Sequence, residues 1–185
     1  ADKRVIYSKY KIDPSGILTG SASKGLYDYA ALSFRNDYMK YNSEEEFIAL
    51  YEAENPGVTV NKLTLNNLDS IDQPVKLIYD LSIDNFSQKM GDLIAFNPFV
   101  IERQKNFPFK NKTRKYPVDF TCFKDYKYIQ VFELPNGYEI TSLPDPLNLV
   151  LPDKKGRFSY NITKMDNQLQ MTCTFEIKNT VFAES

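Results

Sequence analysis

Two serine–lysine pairs, two cysteines and a run of three glutamates are the residues whose types and spacing could do chemistry. Ser8-x-x-Lys11 and Ser21-x-x-Lys24 have the spacing that, on a helix, sets a lysine beside a nucleophilic serine. Both pairs fall in stretches that read as strands, where side chains three apart point to opposite faces. No Ser-Asp-Asn or Lys-Thr-Gly element accompanies them, so the match is weak. Cys122 or Cys173 would need a base to become a thiolate nucleophile, and the chain has no histidine. That absence excludes Ser-His-Asp and Cys-His catalysis carried by this chain alone, and any His-ligated zinc. Two thiols cannot supply a site of four thiolates. Glu44, Glu45 and Glu46 point to different sides of a helix, which suits the positive end of a helix dipole better than a cation site. The expectation is a chain with no catalytic residue, no metal and no cofactor.

The elements that would position any site read as α+β: mainly antiparallel β, sandwich-like, with two helices in the N-terminal third. The chain has 185 residues, enough to bury roughly two-thirds of its unfolded surface without a staple. It contains 13 Tyr and 13 Phe but no Trp, and those rings fit pleated, half-buried surfaces. Residues 5–12 and 17–24 read as strands joined by the turn Asp13-Pro14-Ser15-Gly16. The small residues around Gly20 suggest an edge or a close approach of backbones. Residues 26–40 change to helical period, and Ser43-x-x-Glu46 is a capping box that opens a second helix. Strands follow at 58–68, with a phase slip between Val60 and Leu63 that predicts a bulge, and at 75–83, with a polar connection at 84–92. Further strands are expected at 93–96, 125–133, 138–142 and 146–151. A closing hairpin runs through Phe158, Tyr160 and Ile162, turns at Asp166-Asn167, and returns through Leu169 to Ile177. This organisation fits one domain over 1–185, or two lobes at 1–57 and 58–185.

Residues 97–120 stand apart. They hold three prolines, four phenylalanines and six Lys or Arg, and show neither helical nor strand period. Basic residues among rings (Arg103, Lys105, Lys110, Lys112, Arg114 and Lys115 with Phe107, Phe109 and Tyr116) suit a single-stranded nucleic-acid surface. The net charge of −1 and the lack of a nucleic-acid motif argue instead for a connection with a solvated basic face, and for no nucleic-acid partner. No apolar run is long enough to span a membrane, and the start carries no signal-peptide apolar region.

Taken in order, Asn97-Pro98-Phe99, the element Lys115-Tyr116-Pro117-Val118-Asp119-Phe120, the turn Leu134-Pro135-Asn136-Gly137-Tyr138, and Leu143-Pro144 form a pattern. It resembles the C-terminal domain of unknown function that follows the transglutaminase-like core in bacterial exported proteins. Tyr29-Ala30-Ala31-Leu32-Ser33-Phe34-Arg35 resembles the segment upstream of it. The resemblance implies a non-catalytic accessory module that packs on, or orients, a catalytic core in the same polypeptide. It also implies a periplasmic or cell-surface setting in a Gram-negative bacterium, where a Cys122–Cys173 disulfide would be chemically permitted. The two cysteines otherwise read as buried thiols. The expected interface is Asn97, Pro98, Phe99, Arg114, Tyr116, Pro117 and Phe120. The alternative is a glycan- or peptide-binding module with exposed tyrosines on one sheet face, which would need two or three rings in one plane.

Overall fold

The computed structural model describes residues 1–101 and 116–183. Alternation builds its first strand: β1 (Asp2–Ile12) buries Ile6, Ser8, Tyr10 and Ile12 on one phase and leaves Tyr7, Lys9 and Lys11 outside on the other. Ser8 and Lys11 therefore lie on opposite faces, as a strand requires. The Asp13 carboxylate accepts bonds from the Ser15 and Ile17 amides at 2.8 and 2.9 Å, and Gly16 completes the turn at φ 92°. β2 (Leu18–Tyr27) returns beside β1. It is an interior strand rather than an edge, because β4 covers its other side; Gly20 marks the close approach. A Cβ there would sit 2.1 Å from the Lys9 carbonyl oxygen.

The helices α1 (Asp28–Tyr38) and α2 (Glu44–Glu54) follow. Ser43 Oγ accepts a bond from the Glu46 amide at 3.2 Å. The Glu46 carboxylate reaches back to the Asn42 amide at 2.7 Å, one residue earlier than a capping box requires. All three glutamates occupy the first turn of α2. On α1, Arg35 departs from the helical pattern, in which it belongs to the polar side. Its guanidinium is buried and donates to the carbonyls of Asn67, Leu68, Ser70 and Gln73 at 2.6–2.9 Å, which fixes the loop after β3.

The remaining strands are β3 (Val58–Asn66), β4 (Val75–Ile83), β5 (Ser87–Met90), β6 (Leu93–Phe96), β7 (Val118–Asp119), β8 (Lys124–Glu133), β9 (Leu147–Val150), β10 (Gly156–Met165), β11 (Gln168–Ile177) and β12 (Val181–Phe182). Eight of them form one sheet in the order β3-β4-β2-β1-β8-β11-β10-β9, antiparallel except for β1 with β8. β3 shifts register between Val60 and Lys62, where the sequence slips phase. β5 pairs with β6, and β7 with β12. β5 lies in the stretch that reads as a polar connection; it has no apolar alternation and is held by its ladder and by Ser87 Oγ and Lys89 Nζ, which donate to the Gly16 and Pro14 carbonyls. Residues 138–142, expected as a strand, have no ladder. Ile140 alternates there because it docks on the core.

One face of the sheet carries the core. Ile6, Leu18, Leu77, Leu81 and Phe132 are almost completely buried, and Ala30, Ala31, Phe34 and Phe47 of the helices join the same cluster. So do Phe86 and Phe96 around the β5–β6 hairpin. The second layer is thus helices plus one hairpin laid on a single large sheet.

Candidate interaction site

The sequence-expected interface residues fall in two places. The first follows β6. Asn97 Oδ1 accepts the Phe99 amide at 3.0 Å, a side-chain-closed turn that swings the Phe99 ring onto β10. Phe99 meets Tyr160 edge-on, with centroids 6.4 Å apart and planes at 85°. Pro98 and Phe99 form one wall of an open groove of about 610 Å³, and Pro144 and Tyr160 line it too. Pro98 and Pro144 also border an adjoining space of about 270 Å³, floored by Phe132, Ile162, Leu169 and Met171. Phe96 supports this floor by packing 5.2 Å from Phe132 and 5.3 Å from Phe86. Among the described residues no charged side chain lines either space; the polar groups present include the amides of Asn85, Gln88 and Asn97 and the hydroxyls of Thr141 and Ser142. Such a surface can bury apolar partner groups and orient them with a few hydrogen bonds.

The second place is the small β7–β12 ladder. Pro117 precedes β7, in keeping with its missing amide hydrogen. The Phe120 amide bonds the Thr180 carbonyl at 2.8 Å, and its ring packs edge-on against Phe182 at 5.7 Å. Phe120 is therefore largely spent on holding its own chain, whereas Tyr116 is 80% exposed. Arg114 lies outside the described residues, as do the basic and aromatic positions from 103 to 115. For a sheet-face platform, the outward phase of the eight-stranded sheet offers two rings, Tyr7 and Tyr27. Their register partners, Ser23 and Lys3, place them four positions apart along the strands.

A cluster that no sequence motif announced closes the end of the sheet where β1 and β8 begin. Asp2, 5% exposed, accepts two bonds from Arg4 at 2.8 and 3.0 Å, one from Lys124 Nζ at 3.0 Å and one from the Tyr126 hydroxyl at 2.7 Å. The Arg4 guanidinium lies 4.8 Å from the Tyr126 ring centroid. Burial alone would raise the Asp2 pKa, but these donors outweigh it and hold it at about 2. Burial, and donation to Asp2, push the Tyr126 hydroxyl well above its ordinary value. A buried carboxylate held at a pKa of about 2 by Arg4, Lys124 and Tyr126 is a weak base, so the cluster is a latch between two strands. Asp2 and Arg4 alone gave no signal, because their partners lie more than 120 residues away.

The cysteines do not form a disulfide; both are free. Cys173 faces Tyr128 in the β11–β8 ladder, whereas Cys122 precedes β8, six residues before Tyr128 in the chain. Cys173 is buried, and burial pushes its thiol up to about 11, which makes it inert packing. Cys122 is half-buried, with its sulfur 3.8 Å from Lys124 Nζ.

Among the described residues no group of three or more His, Cys, Asp or Glu is placed to hold a metal. No described helix is long and apolar enough to cross a membrane. No curated protein and no solved structure matches the chain. A family model does: that of a domain of unknown function, over residues 92–185, which takes in β6 through β12 and hence the groove walls, the exposed Tyr116 and the latch partners Lys124 and Tyr126. The match spans just over half of the 185 residues, and the chain belongs to the DUF3858 family.

Proposed function

We propose that this chain is a non-catalytic accessory module that packs on, or orients, a transglutaminase-like catalytic domain of the same polypeptide, in the periplasm or at the cell surface of a Gram-negative bacterium. The catalytic neighbour and the compartment rest on the motif resemblance. The interaction role rests on one observation: the open groove between Pro98-Phe99 and Pro144-Tyr160, which mixes rings and prolines with side-chain amides, leads into a mainly apolar space and has no charged lining. An exposed apolar concavity of this kind gains free energy by being covered. An acid–base site would instead gather ionisable groups.

With the rest of the polypeptide expressed separately, the double variant Phe99→Ala, Tyr160→Ala should bind it at least ~10-fold more weakly, the usual effect of losing aromatic anchors. Tyr116→Ala probes the second place and should reduce binding less. Circular dichroism of each variant checks that the fold is kept. Unchanged affinity in all folded variants would remove the interaction reading.

A further inference from the structure

The eight-stranded sheet has two edges, and they are built differently. β3 carries a bulge between Val60 and Lys62 and holds Asn61 and Lys62 in solvent; bulges and edge lysines both obstruct strand addition. β9 pairs with β10 without a register shift and carries no charge. Leu147, Leu149, Val150 and the following Leu151 are between 37% and 55% exposed.

The Leu151 amide bonds the Gly156 carbonyl at 2.9 Å. Antiparallel pairs alternate, so Leu147, Leu149 and Leu151 turn their backbone groups toward β10, while Asn148 and Val150 turn theirs outward. Pro144, Pro146 and Pro152 share the outward phase, and proline has no amide hydrogen to give. The edge therefore offers the amides of Asn148 and Val150, bracketed by prolines.

We infer that β9 pairs with β9 of a second copy, antiparallel, about a two-fold axis through Leu149. Asn148 of one copy faces Val150 of the other, and each such pair exchanges two hydrogen bonds. Both outward amides are satisfied in this register, and the prolines end the ladder on either side. Leu149 meets its own counterpart on the core side of the joined sheets. The flanks agree. Glu139 and Asp145 precede β9, with no Lys or Arg between Asn136 and Pro146. Lys154, Lys155 and Arg157 follow it, against one carboxylate, Asp153, already 2.9 Å from Lys155. Antiparallel pairing sets the acidic flank of each copy beside the basic flank of the other; parallel pairing would set like on like. Because the bulged β3 edge does not accept β9, association closes at two copies instead of running on into a fibre. The contact is short, below the roughly 1,200 Å² of standard complexes, so the dimer is weak. This pairing does not rest on the groove reading.

Sedimentation velocity of the isolated chain from about 5 μM to 1 mM should show monomer at the low end and dimer at the high end. Asn148→Pro removes one outward amide and keeps the backbone ladder to β10, but also loses the bond that Arg157 Nε donates to Asn148 Oδ1 at 3.0 Å; it should stay monomeric throughout, whereas Asn148→Ala, which loses that side-chain bond alone, should still dimerise. In a Cys122→Ser background, Leu149→Cys should be linked by oxidised glutathione into a disulfide dimer, because directly opposed residues of a non-bonded pair have Cα atoms about 4.5 Å apart. Leu151→Cys, off the axis, should link at least ~10-fold more slowly. Wild type that remains monomeric at 1 mM would overturn the inference. So would an Asn148→Pro dimer as strong as wild type, or linkage at 151 as fast as at 149.

Discussion

The four strands drawn from residues 2–83 and the four drawn from 124–177 meet along a single parallel pair, β1 with β8, and they close their apolar faces differently. On the N-terminal side the chain supplies its own cover. Val75, Leu77, Tyr79, Leu81 and Ile83 are all at most 5% exposed, Tyr51 of α2 stacks on Tyr79 at 5.4 Å, and Arg35 ties down the loop between β3 and β4. On the C-terminal side β8 buries Gln130, Val131 and Phe132 and β11 buries Leu169, Met171, Cys173 and Ile177, but Phe158, Tyr160 and Ile162 of β10 are only half-covered and β9 is exposed throughout. The core face of the sheet is satisfied in the N-terminal half, and apolar side chains that this half leaves in solvent, such as Tyr29, Leu32, Met39 and Leu50, lie on or beside the helices that cover it. The unfinished half holds the free edge and, together with residues 85–99, lines the groove; the family model, over residues 92–185, takes in all four of its strands.

The largest expected effect breaks the closed half. Leu81 is 1% exposed, so Leu81→Ala should cost about 3 kcal/mol, through lost burial and the cavity left behind. Urea unfolding checks it. A cost below about 1 kcal/mol would mean that this half can relax around a deletion, and the contrast between the halves would fail. Arg35 sharpens the same point through polar chemistry. An ammonium cannot reproduce the guanidinium's planar spread over four carbonyls, so Arg35→Lys should cost about 2 kcal/mol, with Arg35→Ala costing more. Full recovery by lysine would show that charge alone, not the fork of donors, holds the loop.

The seam between the halves can be read by pH. The Asp2 pKa is depressed from 3.8 to about 2, so its contribution to stability is complete above the unfolded value and is lost as pH falls through the folded one. The difference amounts to about 2 kcal/mol, lost between roughly pH 4 and pH 2. Asp2→Asn should lower the urea midpoint at pH 6 and flatten this acid limb. A variant with the wild-type acid limb would assign the acid sensitivity to other carboxylates.

Alternation made much of this fold legible. β4, from Val75 to Ile83, could be read residue by residue, because one face is core and the other is water. The slip at Val60 was visible because a bulge displaces every later side chain to the opposite phase. The helix start at Ser43 was visible because capping is a local event. What stayed hidden depends on distant partners. Arg35 looks like a solvated helical residue until the loop at 67–73 folds over it. Asp2 looks like an exposed terminal acid until Lys124 and Tyr126 arrive from β8. β5 has no pattern of its own and exists through its ladder. In the stretch from Asn97, the docking of a ring was within reach, because a proline–aromatic run without period marks a connection whose rings pack on the core, as Phe99 does on Tyr160. The motif could not say that Phe120 would be occupied by Phe182. Nor did it point to β9, whose interest lies in what fails to pair with it.

The smallest expected effect makes the comparison sharpest. Leu149→Ala is the same chemical deletion as Leu81→Ala, made near the other end of the same sheet, at a side chain 55% exposed instead of 1%. The backbone of Leu149 still bonds to β10, and alanine leaves that ladder intact. With no enclosed cavity to leave and little burial to lose, the substitution should change monomer stability by no more than about 0.5 kcal/mol in dilute urea titrations. If Leu149 instead costs as much as Leu81, the edge is part of the monomer core, and the C-terminal half is as closed as the N-terminal one. If it costs nothing, the side chain is exposed without serving the monomer. An apolar edge strand that contributes nothing to its own fold is a standing liability for edge-to-edge aggregation, and its persistence is then accounted for by what covers it.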